Sequence, residues 1–149
     1  MTKTAIYLNF SHNTEEAFNF YRSVFGGEFI GNEFPGGIMR YKDVPAMDGM
    51  SSVAEADKNL IMHIELPLPG GMILMGSDVP ESTGFKVNPG NNFSITLMPE
   101  TRAETKKLFN ALSSGGKVTM ELQDAFWGDY YGSCVDKFGI QWMFDCREK

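Results

Sequence analysis

Residues 5–30, AIYLNFSHNTEEAFNFYRSVFGGEFI, and residues 92–120, NFSITLMPETRAETKKLFNALSSGGKVTM, repeat one pattern at an offset of about 88 positions. Each begins with a short alternating run: Ile6, Leu8 and Phe10 interleave with Tyr7 and Asn9, and Phe93, Ile95 and Leu97 with Ser94, Thr96 and Met98. A period of two marks a strand with one packed face. A helix start follows in both, because Asn13 with Glu16 and Thr101 with Glu104 stand at the spacing of a capping box. The first helix carries the apolar stripe Ala17, Phe20, Tyr21, Val24 and Phe25, and the second carries Leu108, Phe109, Ala111 and Leu112. Gly26-Gly27 and Gly115-Gly116 supply the stop, and more strand follows each. A duplicated βα unit restricts the chain to folds built from two like halves.

The rest of the chain completes each half. Residues 60–78 form a hairpin around Pro69-Gly70-Gly71, and residues 130–146 form another around Asp136 to Gly139. The FPGGIMRY segment reads as a strand. KDVPAMDGMSS, which follows it, is either a lid or an ordinary exposed loop. Residues 79–92 join the halves. The expected architecture is α+β, a single 149-residue domain of two βαβββ modules over about 1–80 and 90–149, with helices on one face of mostly antiparallel sheet.

Cys134 and Cys146 lie out of register on the two arms of the second hairpin, so they read as buried free thiols. The balance of 13 basic against 19 acidic residues, with no basic cluster, argues against nucleic acid and anionic membranes as partners. The amino-terminal residues lack a signal-peptide core, and no apolar run nears the roughly 18 residues a membrane span needs. A cytoplasmic location is the expectation.

Strand parity sorts the candidate site residues. Met62, Ile64 and Leu66 face the helix, which leaves His63 and Glu65 beside Tyr7 and Asn9 on the opposite face. Ile140, Trp142, Phe144 and Cys146 share one face of the last strand, with Gln141, Met143 and Asp145 on the other. A sheet face bearing Tyr, Asn, His, Glu and Gln is either solvated or curled round a wet cavity. Trp127, Tyr130 and Tyr131, next to Gly128 and Gly132, are candidates for the rim of such a cavity. His63 and Glu65 are the candidate acid/base pair, set against a plain polar wall. His12 belongs to the surface.

The segments YLNF…EEAFNFY…VFGG, MHIEL…MILMGSD, NFSITL and LSSGGKVTMELQDAFWGDYYGSCVDKFGIQWMFDC resemble the vicinal oxygen chelate superfamily. That superfamily holds glyoxalase I, extradiol dioxygenases and bleomycin resistance proteins. Within it the segments look like the PhnB-like branch, sometimes labelled demethylubiquinone methyltransferase. The resemblance implies a glyoxalase-like sheet cupped round a small-molecule ligand, and a homodimer. It also implies a ligand-binding set of Tyr7, Asn9, His63, Glu65, Trp127, Tyr131, Gln141 and Met143.

Metal-dependent members draw His or Glu ligands from the first and last strands of each module. Those positions hold Ala5 or Tyr7, Glu65, Ser94 and Met143 here, so one donor of four is retained and no metal is expected. No cofactor is expected either, since no Gly-rich strand-to-helix turn suits a nucleotide-type methyl donor. The leading expectation is a metal-free binding protein. A metal-dependent lyase, isomerase or dioxygenase is the alternative, and a vestigial cup serving assembly is a third.

Overall fold

A computed structural model describes residues 1–45 and 53–149. Residues 46–52, which hold most of the lid-or-loop segment, lie outside the described residues. The chain divides into two compact units, Met1–Asn88 and Pro89–Lys149, within the joining segment expected at 79–92.

The first unit runs β1 (Ala5–Phe10), α1 (Thr14–Phe25), β2 (Met39–Arg40), β3 (Ile61–Pro67) and β4 (Ile73–Asp78). The second runs β5 (Ile95–Leu97), α2 (Arg102–Ser113), β6 (Lys117–Asp124), β7 (Tyr130–Val135) and β8 (Gln141–Cys146). Their sheets have one topology, β1-β4-β3-β2 and β5-β8-β7-β6. In each, the first strand lies parallel to the last and the remaining pairs are antiparallel. The fold is therefore α+β, two βαβββ modules with one helix apiece. Among the described residues no helix is long and apolar enough to cross a membrane.

The cores follow the alternation of the strands. Leu8, Phe10, Ile64, Leu66 and Leu74 are buried with Ala17 and Tyr21 of α1. Phe18, not the expected Phe20, completes this contact. The reason lies on β4, where a Cβ added to Gly76 would stand 2.5 Å from the Phe18 ring. A bare backbone position makes the slot that the ring fills.

The cap of α1 also differs from expectation. Asn13 makes no side-chain cap hydrogen bond. Instead the Thr14 N–H donates to Asp78 Oδ1 at 3.0 Å, and the Ile61 N–H donates to Oδ2 at 2.8 Å. Thr14 is fully buried, so its amide must be satisfied from within the module, and a carboxylate at the end of β4 does so. The second helix keeps its local cap: Thr101 Oγ1 accepts the Glu104 N–H at 3.1 Å.

In the second module Trp142 and Phe144 are fully buried, as expected. Trp142 Nε1 donates to Asp136 Oδ2 at 2.9 Å, while Oδ1 accepts the N–H groups of Phe138 and Ile140 and shapes the hairpin turn. Three aromatic or thiol expectations resolve as follows. Tyr130 is 8% exposed with the Arg102 guanidinium over its ring, so it belongs to the packed side and not to a rim. Phe93 is exposed, because β5 begins only at Ile95. Cys134 and Cys146 are free and buried, and burial pushes the Cys134 thiol up to about 11.

The modules differ in one element. After Gly115 and Gly116 the second module enters the eight-residue β6 at once. The first module spends residues 26–38 on turns, including a 3-10 turn at Pro35–Gly37, and keeps only two residues of strand in β2.

Candidate functional site

On the face of the first sheet away from α1, β1 and β3 bring together three of the expected residues. Tyr7 Oη lies 3.0 Å from His63 Nδ1, and His63 Nε2 lies 3.2 Å from Glu65 Oε1. Their placement follows from strand parity: Tyr7 and Glu65 both stand opposite Met75 of β4, and His63 is two residues before Glu65. Both ring nitrogens are thus engaged, Nδ1 with the Tyr7 hydroxyl and Nε2 with the Glu65 carboxyl. Asn9 stands apart from this row and accepts the Ser77 hydroxyl at 3.2 Å.

Beside the row is a cavity of about 310 Å³. His63 and Glu65 form one wall, with Met39 of β2. The turn segment forms the other, through Ile30, Asn32, Glu33 and Phe34. Tyr7 bonds His63 but does not itself line the cavity. The segment is tied to the sheet by the Ile30 N–H, which donates to the Glu65 carbonyl at 3.0 Å. Gly31 and Gly37 allow it to double back, both with positive φ (139° and 77°). A Cβ on Gly31 would stand 2.9 Å from the Gly37 carbonyl oxygen. The wall residues of this segment escaped the sequence reading, which took FPGGIMRY, residues 34–41, as a strand where only Met39–Arg40 is one. The signal available was Gly31, Pro35, Gly36 and Gly37, too dense in turn formers for a regular strand.

Arg40, adjacent to Met39, is engaged elsewhere. Its guanidinium forks onto both carboxylate oxygens of Glu15, at 3.1 and 2.7 Å, and donates to the Asn59 carbonyl at 2.7 Å. The hydrogen bond from Arg40 holds the Glu15 carboxyl below its ordinary range, against the opposing effect of burial.

The other expected residues belong to the second module. Trp127 is 52% exposed and meets Tyr131 edge-on at 5.5 Å, with the fully exposed Phe126 at 5.0 Å from Trp127. Tyr131, Gln141 and Met143 are half-buried on the less packed face of that sheet. Gln141 is used locally, its amide donating to the Phe93 carbonyl at 2.7 Å. Met143 stands in register with Thr96 and Ser133. Asp145, opposite Tyr131, is pushed above the ordinary carboxylate range by burial and by the neighbouring charge of Asp129.

The model of the glyoxalase/bleomycin resistance protein/dioxygenase superfamily matches residues 8–144. The chain belongs to this superfamily. The crystal structure of protein PA1353 from Pseudomonas aeruginosa is 31% identical over the full length of both chains, with a TM-score of 0.83. A Bacillus cereus structure described as a putative 3-demethylubiquinone-9 3-methyltransferase, PhnB protein, is 25% identical over 97% of this chain and 99% of its own, with a TM-score of 0.71. Protein YjdN of Escherichia coli strain K12 is 26% identical over 139 residues, 93% of this chain and 91% of that protein. The glyoxalase-like fold and PhnB-like neighbours expected from the motifs are thus present.

Two features of the superfamily member follow from its own residues. Both strand-to-helix turns, residues 11–13 and 98–101, lack the glycines that let backbone approach a nucleotide-type methyl donor. Among the described residues no three His, Cys, Asp or Glu side chains gather where a metal ion would be held. His63 and Glu65 are two donors already bonded to each other, short of the roughly three protein ligands of a catalytic site. The donor set does not fit a superfamily-type metal centre.

Proposed function

We propose that this superfamily member is a PhnB-like binding protein, taking a small, partly apolar molecule into the cavity of its first module without a resident metal. The observation that carries the reading is the cavity itself, where Ile30, Phe34 and Met39 meet the His63–Glu65 pair. Its volume of about 310 Å³ falls at the lower end for small-molecule sites. An apolar wall with a few fixed polar groups is the lining such sites share. Tyr7 orients His63, and Glu65 keeps its second oxygen for the ligand. Trp127 and Tyr131 of the second module are proposed as a separate aromatic contact surface, supported by the exposure of Trp127; Gln141 and Met143 share the sheet face of Tyr131, and Asn9 of the first module bonds Ser77.

A fragment screen by two-dimensional NMR tests the cavity. Binders should shift the amides of residues 30–39 and 63–65, and Met39→Trp, which fills the space, should abolish those shifts in a folded spectrum. Hits that ignore Met39→Trp would overturn the reading. A homodimer in the cytoplasm belongs to the same proposal. Support for the dimer comes from exposed Met98, Met120, Phe126 and Trp127 on the second module, and a monomer mass by light scattering would remove it.

A further inference from the structure

Resting on the reading that a ligand occupies the first module's cavity, we infer that this ligand is a small organic cation, an ammonium group carrying an apolar arm. Among the described residues two carboxylates, Glu33 and Glu65, line the cavity, and no Lys or Arg does. Glu33 is exposed and forms no ion pair among the described residues. Glu65 uses Oε1 on His63, which leaves Oε2 to accept from a ligand N–H. The two arginines of this module are committed. Arg40 is forked onto Glu15, and Arg22 lies over the Phe29 ring with Glu28 at 3.9 Å.

The same geometry disfavours an anion. His63 is the one lining group able to carry a positive charge, and both of its nitrogens are already bonded, to Tyr7 and to Glu65. The imidazole therefore offers no free N–H to a carboxylate or phosphate. Phe34, half-buried on the turn segment, adds an aromatic ring to the lining, the side-chain type that attracts cations. Ile30 and Met39 supply the surface for the apolar arm. The wider field agrees: residues 1–88 hold 11 acidic side chains against 6 basic, so most of the chain's net charge of −6 belongs to this module. Acidic surroundings raise the local concentration of cations and repel anions.

Three probes of matched shape test the inference on the full chain by NMR titration: phenethylammonium, 2-phenylethanol and 3-phenylpropionate. The ammonium should bind about tenfold more tightly than the alcohol at low salt, and the advantage should shrink as salt is raised. The propionate should bind most weakly. Glu33→Gln and Glu65→Gln should each cut the preference for the ammonium over the alcohol about threefold or more. Glu104→Gln, on α2, should change neither. Glu33 is exposed, so its variant keeps the test open if Glu65→Gln disturbs the His63 row.

If the alcohol matches the ammonium, or the propionate binds more tightly, the cavity stands as a ligand site and the cation inference falls. An ammonium preference that survives both glutamine substitutions also overturns it. If no probe moves residues 30–39 or 63–65, the cavity reading falls with it.

Discussion

Asp78 is 1% exposed and accepts backbone N–H groups from both α1 and β3, so one carboxylate ties a helix start to a strand start. Asp136 plays the matching part in the second module, binding two turn amides and the Trp142 indole. Two other carboxylates pull in opposite directions with pH. The Glu15 carboxyl is held below its ordinary range by Arg40, so its contribution is present above that range and is lost as pH falls through the lowered value. The pair is partly exposed, and its worth is about 1 kcal/mol or less. Asp145 behaves in the reverse sense. Burial and Asp129 raise its pKa, so the folded chain holds the proton longer than the unfolded chain. Stability is lost as pH rises from the ordinary carboxylate range through the raised value. Asp145→Asn should therefore lift the melting temperature by about 1–3 °C at pH 7 and leave it unchanged below both values. Melting curves of parent and variant across acid and neutral pH check this, and a gap of constant size would refute it.

At the level of helices and strands, the contact between Phe18 and Gly76 decides how α1 sits on its sheet. Gly76→Ala forces the Phe18 ring to move and should cost about 1–3 kcal/mol in urea unfolding. Phe18→Leu in the same chain should recover part of that loss, and strict additivity of the two changes would sink the slot explanation. Repeats, hairpins and helix stripes were legible in the sequence because they are written in local spacing. The exceptions share one cause: each depends on a partner far along the chain. Phe18 replaces Phe20 because of Gly76, Asn13 gives up its capping role to Asp78, and Tyr130 turns inward beneath Arg102. The site divides in the same way. Strand parity placed Tyr7, His63 and Glu65 together, whereas the wall from Ile30 to Phe34 follows no period and was readable only as a cluster of glycines and a proline.

For the whole chain, superfamily membership and metal chemistry are separate questions, and the donor count separates them. The four positions that the resemblance marks for metal ligands hold Ala5 or Tyr7, Glu65, Ser94 and Met143, one donor among them. Untagged protein incubated with zinc, nickel, manganese or ferrous iron and then desalted should retain far less than one equivalent by mass spectrometry. Retention near one equivalent would show that donors beyond the His63–Glu65 pair take part. The two modules share a topology, yet only the first has exchanged a full second strand for the turn segment 26–38. That segment is anchored at Ile30 on Glu65 and at Met39 on His63, and its middle carries no rung of the sheet. Mutations between the anchors should therefore alter the proposed cavity wall while the hydrogen-bonded strands and helix are left alone. The segment is in that sense a detachable wall, whose residues could be exchanged without rewriting a single rung of the sheet.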